Sequence, residues 1–263
     1  MSWRNWEDMR APDFAALAGG PEEPVAILPT AAVEQHGPHL PVGTDAAIMS
    51  GMLAEARALC PAGLPLICLP VQKVGKSDEH LWAAGTLTLS AETALRAWGE
   101  IGEGIARAGL RRVLLVNSHG GNLDLVSILA RQLRVRLGLL AVRCQWMGFG
   151  APDGLFSERE AAFGIHGGDR ETSLMLHFRP DLVDMAAARD FSSAAETAAI
   201  GPIGPVAAGW IASDLNLEGV VGEAHLASAR KGAALARHGA LGFLDLARKV
   251  ADAPLPRAPT GWR

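Results

Sequence analysis

Short apolar runs alternating with amphipathic segments predict an α/β fold built on a mainly parallel sheet. The runs lie at 25–29, 66–71, 112–116 and 139–144, and the stretches between them carry helical periodicity. At 263 residues, 49% of them apolar, the chain can bury a full core as one large domain or two small ones. No shift of composition forces a division, so residues 1–263 are read as a single domain.

The first run feeds a Gly- and Pro-rich loop over 32–45. After it, 46–59 reads as a helix, with Thr44 and Asp45 where its N-cap would stand. Ser90 is placed to cap a helix reaching about Ala108, with Leu95, Trp98, Ile101 and Ile105 along one face. Asn122 opens the next helix, whose Leu125, Leu129, Leu133 and Leu137 recur every four residues and face the sheet. Another starts near Gly168. Beyond 180 the pattern weakens into an Ala- and Gly-rich stretch before a last helical segment at 223–250, where Gly232, Gly239 and Gly242 each cost about 1 kcal/mol relative to Ala. The Pro-rich tail at 254–263 is expected to be extended, either as a disordered end or docked on a neighbouring subunit.

Composition excludes several classes of function. A net charge of −4 with no basic cluster gives nothing to hold a nucleic-acid backbone. The longest apolar runs fall well short of the ~20 residues that span a bilayer, and the N-terminus lacks the layout of a secretory signal. A cytoplasmic protein with neither membrane nor nucleic-acid partners is therefore expected. Cys60, Cys68 and Cys144 show no CxxC spacing and are expected to be reduced and buried. Gly102 and Gly104 fall inside a helix and ahead of a strand, so the dinucleotide fingerprint fails, and the HExxH, GxSxG and P-loop motifs are missing.

The most informative stretch runs Ala32-Val33-Glu34-Gln35-His36-Gly37-Pro38-His39-Leu40-Pro41-Val42-Gly43-Thr44-Asp45. Glu and Asp oxygens with a His nitrogen suit Zn²⁺, Mn²⁺ or Fe²⁺, and the lack of Cys argues against a closed structural zinc site. Asp45 alone is equally a helix cap, and Glu34 and His36 alone are equally solvated loop residues. Together the three favour a metal. His39, separated from His36 by a Gly-Pro turn, is expected to support a ligand rather than to be one.

The run at 112–116 passes into Asn117-Ser118-His119-Gly120-Gly121-Asn122 and then a helix. That puts His119 at the carboxyl end of a strand, the edge where open α/β sheets bind ligands. The paired glycines let backbone approach a metal or substrate closely. A third cluster, His166-Gly167-Gly168-Asp169-Arg170-Glu171-Thr172-Ser173, sets Glu171 in the first turn of a helix, where the dipole favours a carboxylate on structural grounds alone. His166 precedes that helix and is free to reach another partner. The same layout, a strand end turning into a helix, is expected at all three clusters.

These clusters resemble the creatininase (creatinine amidohydrolase) family, whose pattern is close to GxxEQHGPHLPxxTD, then NxHGGN, then HxGxxETS; the match spreads over about 25–176. The resemblance implies a three-layer α/β/α domain, a dinuclear metal centre, a homo-oligomer that is often a hexamer, and hydrolysis of C–N bonds in small amides. Carried onto this sequence, it implies that Asp45 bridges two divalent ions (Zn, Mn or Fe), with Glu34 and His119 on one and His36 and Glu171 on the other. His166 would transfer protons beside them. Creatininase itself has a Glu two positions after the His of the second motif, where this chain has Gly121. The departure suggests that Glu171 supplies the missing carboxylate, and it argues against creatinine as substrate. Asp169 stands where a Glu is more usual. The segment 75–86 resembles a family loop over the site, with Ala84 where Pro is common. Ser77 and His80 within it, together with Gly120, Gly121 and Trp146, are candidate substrate contacts.

Two ions about 3.5–4 Å apart lower the pKa of a bridging water toward neutrality and polarise an amide carbonyl. The leaving nitrogen then needs a proton, which His166 has the natural pKa to deliver, with His80 in reserve. Hydrolysis of a small cyclic amide, formamide or related amide is the expected function. A formylamino-pyrimidine deformylase and a small-peptide peptidase are alternatives within the hydrolases. The first is weakened because Arg170 is the one cation near a motif that a phosphate could use. From another class, the same ligands could serve an isomerase or lyase that stabilises an enediolate, and a non-catalytic metabolite-binding protein is the remaining alternative.

Overall fold

Alternate residues of the central strands enter opposite hydrophobic cores, and this builds a three-layer α/β/α sandwich. The computed structural model describes residues 3–17 and 23–257. Its main sheet holds β1 (Arg4–Asn5), β2 (Val25–Thr30), β3 (Leu66–Cys68), β4 (Arg112–Asn117) and β5 (Leu140–Gln145), all parallel, in the order β1-β3-β2-β4-β5. The helices are α1 (Ala11–Ala15), α2 (Thr44–Leu59), α3 (Ala91–Arg107), α4 (Leu123–Leu137), α5 (Glu158–Phe163), α6 (Asp169–Phe178), the single turn α7 (Ala212–Leu215) and α8 (Ala229–Asp252).

Val25, Ile27, Leu66, Leu114 and Val116 share one core with Met49 and Met52 of α2, Leu174 and Met175 of α6 and Phe243 of α8. Ala26, Leu28, Ile67, Val113 and Leu115 share the other with Trp98 and Ile105 of α3 and Leu129 and Leu133 of α4. With neighbours on both edges and helices on both faces, β2 and β4 are buried along their whole length, which is why they read as continuous apolar runs. The glycine of α8 at 232 serves close packing, because a Cβ there would overlap the Ser173 carbonyl of α6.

From β2 the chain moves to one side for β3 and then crosses to the other for β4. The carboxyl ends of β2 and β4, paired through Thr30 and Asn117, therefore form a topological switch point, where open α/β sheets leave a crevice for ligands. Glu34 and His119 sit in the loops leaving these two strand ends.

Several local expectations are corrected. Helix α2 begins at Thr44 with Gly43 in the cap position; the Thr44 hydroxyl donates to Pro41 O at 2.7 Å, and neither Thr44 nor Asp45 caps the helix. Asn122 stands at the cap of α4, but its side chain is drawn away to accept from the Lys76 N–H at 3.0 Å and to donate to Ala31 O at 3.0 Å. No strand leads into the third cluster, which follows α5 and is tied down by an antiparallel bridge between His166 and Val221. The last helix begins at Ala229 because Ser228 Oγ accepts from the Lys231 N–H at 3.3 Å. Of the residues expected earlier in that helix, Glu223 instead ends the short strand β7 (Gly222–Glu223), which pairs antiparallel with β6 (Asp190–Phe191), and Ala224–Leu226 form a single 3-10 turn.

Strand β1 was not foreseen, since two residues are too few to show a period. Cys68 is buried, whereas Cys60 and Cys144 are only partly so. In the tail, 254–257 has no regular structure and Arg257 O accepts from Arg134 Nη2 at 2.8 Å, while 258–263 lies outside the described residues. Among the described residues no helix is long and apolar enough to cross a membrane.

Candidate metal centre

Glu34 leaves β2 through a loop whose two ends are tied together by its N–H donating to Val42 O at 2.8 Å. Its side chain is fully buried, and neither carboxylate oxygen has a hydrogen-bond partner among the described residues. Three imidazole nitrogens surround Oε1: His119 Nδ1 at 3.2 Å, His80 Nε2 at 3.5 Å and His166 Nδ1 at 3.6 Å.

The tautomers follow from the outer hydrogen bonds of each ring. His36 donates its Nδ1–H to Glu34 O at 3.0 Å, which leaves Nε2 as a buried, unpartnered lone pair 3.6 Å from Glu171 Oε2. His119 gives its Nε2–H to Lys76 O at 2.7 Å and turns Nδ1 toward Glu34 and, at 3.6 Å, toward Asp45 Oδ2. An outer hydrogen bond that fixes the ring and frees the inner nitrogen is what a metal-ligating His requires.

Asp45 lies in the first turn of α2 with Oδ2 buried and unpartnered. Glu171, in the first turn of α6, accepts the Gly167 N–H on Oε2 at 2.7 Å. The ligand atoms of Glu34, Asp45 and His119 fall within 4.8 Å of one another, and so do those of His36, Asp45 and Glu171. Asp45 belongs to both groups. Two further groups, Glu34 with His36 and His166, and Glu34 with Glu79 and His80, overlap them.

A divalent ion fits this donor set on the chemistry of its atoms. Glu34 Oε1 and Oε2, Asp45 Oδ2 and His36 Nε2 are buried acceptors without donors. A neutral group left so costs about 1–3 kcal/mol, and a charged one more. Oxygen and imidazole donors together suit Zn²⁺, Mn²⁺ or Fe²⁺.

The electrostatics point the same way. Burial pushes the Asp45 and Glu171 carboxyls up, and the charge of Glu34 adds to the effect at both. Burial would also raise Glu34, but His119, His166 and His36 hold it well below the usual carboxylate range. His119, against its burial, is raised to about 10 by Glu34 and Asp45. His166 is pushed down to about 4 by burial and by His36, and His80 to about 3 by burial and by His166. Acids so closely set share protons unless cations replace them.

The remaining candidates fall into two places. Ser77 and His80 are buried against the candidate ligands, with Ser77 Oγ 3.4 Å from His119 Nε2 and His80 Nδ1 2.8 Å from Gln35 Nε2. Gly120 and Trp146 line a cleft of about 280 Å³ that also reaches Glu171 and Arg170. Gly121 does not line it; a Cβ there would overlap the Glu79 carboxylate, the His119 ring and the Lys76 carbonyl.

Sequence reasoning passed over Glu79, Gln35 and the Lys76 carbonyl. Glu79 Oε1 stands 3.6 Å from His119 Nε2. Gln35 donates from Nε2 to Gly219 O at 2.6 Å and accepts the Gly37 N–H at 3.0 Å. The helical turn Asp78–His80 brings Glu79 toward the His119 ring. His39 reaches the third cluster, with Nε2 at 3.1 Å from Gly167 O and 2.9 Å from Thr172 Oγ1.

The family model for creatininase, described as creatinine amidohydrolase, matches residues 7–247. The chain belongs to the creatininase family. Its named relatives are hydrolases, among them a creatinine amidohydrolase and a peptide peptidase. The mycofactocin precursor peptide peptidase of Mycolicibacterium smegmatis is 30% identical over 161 residues, 60% of this chain, and the chain spans 59% of that relative's length. The creatinine amidohydrolase of Pseudomonas putida is 30% identical over 200 residues, 70% of this chain and 72% of its own. A manganese form of creatininase has the same fold, with a TM-score of 0.75 at 23% identity over 95% of this chain and 99% of that one. A mutant creatininase of Zn–Zn type does so with a TM-score of 0.74 at 23% identity, over 95% and 98%.

Proposed function

We propose that the chain is a dinuclear metal-dependent amidohydrolase that cleaves a C–N bond in a small cyclic amide, formamide or related amide. The carboxylate of Asp45, shared between the Glu34–His119 and the His36–Glu171 groups, carries this reading, because a bridging ligand needs that position. Glu34 and His119 would hold one ion and His36 and Glu171 the other. The Zn–Zn form of creatininase supports the count of two. Bound there, two divalent ions supply a water acidic enough to attack at neutral pH and polarise the amide carbonyl.

His166 is the proton carrier in this reading. Its Nε2–H is committed to Gln35 O at 2.9 Å, so Nδ1, which faces Glu34, is the atom that moves a proton. Held at about 4, the ring is neutral at pH 7; it accepts a proton first and then delivers it to the leaving nitrogen. His36 at 4.2 Å and His80 at 4.3 Å pack against the ring and fix its plane.

A peptidase acting on short peptides is the second reading, favoured by the name of the mycobacterial relative. In either reading the chain acts as one domain within a homo-oligomer, a hexamer by family resemblance. Exposed Leu81, Trp82 and Leu87 beside the site support association, which sedimentation tests.

The deciding experiment combines metal analysis of the purified protein with a screen of cyclic amides, hydantoins, formamides and short peptides in ¹⁸O-water. Two ions per subunit and one solvent oxygen in the acid product are expected. A product without solvent oxygen would mean an isomerase or lyase and overturn the proposal.

A further inference from the structure

Arg170 is the one cationic side chain lining the cleft that opens onto Glu171, and it has no counter-ion among the described residues. Its Nε is fully buried and donates to nothing. The guanidinium lies over the Phe156 ring, 5.6 Å from the centroid. Each acid around it is committed elsewhere. Asp169 is paired with Lys231 Nζ and accepts from the Ser173 hydroxyl at 2.8 Å. Glu160 accepts the backbone N–H of Arg170 at 3.1 Å and of Glu223 at 2.8 Å. Glu171 accepts the Gly167 N–H and stands 3.6 Å from His36 Nε2.

A buried donor on a charged group is costly to leave unmade, and an aromatic floor under a guanidinium keeps its edge free for a planar partner. Lys231 lies near the same ring, 5.5 Å from the centroid, yet its charge is met by Asp169. The charge of Arg170 is not. Apart from Glu171, the rest of the cleft is apolar or neutral, including Gln145, Trp146, Met147 and Ile203. One fixed positive charge at its wall, with no second cationic side chain, matches a monoanion rather than a phosphate dianion.

We propose that Arg170 is a specificity-determining residue that binds a carboxylate of the substrate, so that the preferred substrates are amides carrying a carboxylate remote from the scissile bond. This rests on the amidohydrolase reading for its chemistry, but not for its test. The fork of the guanidinium would receive both carboxylate oxygens while the amide lies toward Glu171. A charge-assisted pair of this kind favours the anion about 10- to 100-fold over an uncharged isostere.

The test is calorimetry on the zinc-loaded protein with glutaramate and glutaramide, which differ only in carboxylate against carboxamide. Binding is read without turnover, so a protein that holds to this preference but hydrolyses nothing would sink the amidohydrolase reading and leave Arg170 in place. Glutaramate is expected to bind at least 10-fold more tightly. Arg170→Met should bring the ratio to about 1, and Arg170→Lys should keep part of it, with circular dichroism and zinc content checked in both. Equal or undetectable binding of the pair by the parent protein overturns the proposal. So does a preference that survives in Arg170→Met, since the carboxylate would then sit on the metals. Tighter binding of 3-phosphonopropanamide than of glutaramate would assign the site to a phosphoryl group and overturn it too.

Discussion

Gly121 cedes its side-chain position to Glu79, whose Oε1 stands 3.6 Å from Nε2 of His119. A Cβ at 121 would also meet the Lys76 carbonyl that orients His119. Gly121→Ala is therefore expected to weaken metal binding about 10- to 100-fold and to cost about 1–3 kcal/mol of stability. Adding Glu79→Ala should recover part of both. Titration with Zn²⁺ buffers and urea unfolding measure the effects, and unchanged affinity in the single variant would refute the close fit.

Asp45 and Glu171 should separate by metal count. If Asp45 is common to both ions, Asp45→Ala loses both and all activity, whereas Glu171→Ala keeps one. Elemental analysis after gel filtration, with circular dichroism to confirm folding, reads the stoichiometry. Equal losses in the two variants would argue against a bridging role.

His166 should matter to turnover and not to metal content. His166→Ala is expected to lower kcat by about 10²–10⁴ with both ions retained and KM little changed. A variant that instead loses an ion would make His166 a ligand, as its group with Glu34 and His36 allows.

His39 gives a signed dependence of stability on pH. Burial pushes its imidazole down to about 4, while an unfolded His titrates near 6.5. Above about 6.5 both states are neutral and the contribution is complete. As pH falls toward about 4 the unfolded chain takes up the proton first, so stability is lost, by at most about 1.4 kcal/mol per pH unit. Urea unfolding between pH 4 and 7 should show a shallower slope for His39→Gln than for the parent. Parallel slopes would mean that His39 is not held neutral.

What the sequence determined is what local pattern can encode. Continuous apolar runs at β2 and β4 announced strands buried on both faces, the four-residue spacing of Leu125, Leu129 and Leu133 announced a helix against the sheet, and three Gly-rich clusters supplied the candidate ligands. Residues such as Glu34 and His36 were legible because their chemistry is written within one short loop.

Only the tertiary structure decided which groups meet. His166 reaches Gln35 across 131 positions and His119 reaches Lys76 across 43, distances over which no periodicity carries information. The parallel pairing of β2 and β4 at the centre of the sheet sets their strand ends side by side, and Asp45 belongs to two of the candidate ligand groups gathered there. Local propensity marked Asp45 as a helix cap. Burial beside Glu34 and Glu171, with no N–H to satisfy its Oδ2, sets it instead among the candidate metal-holding groups.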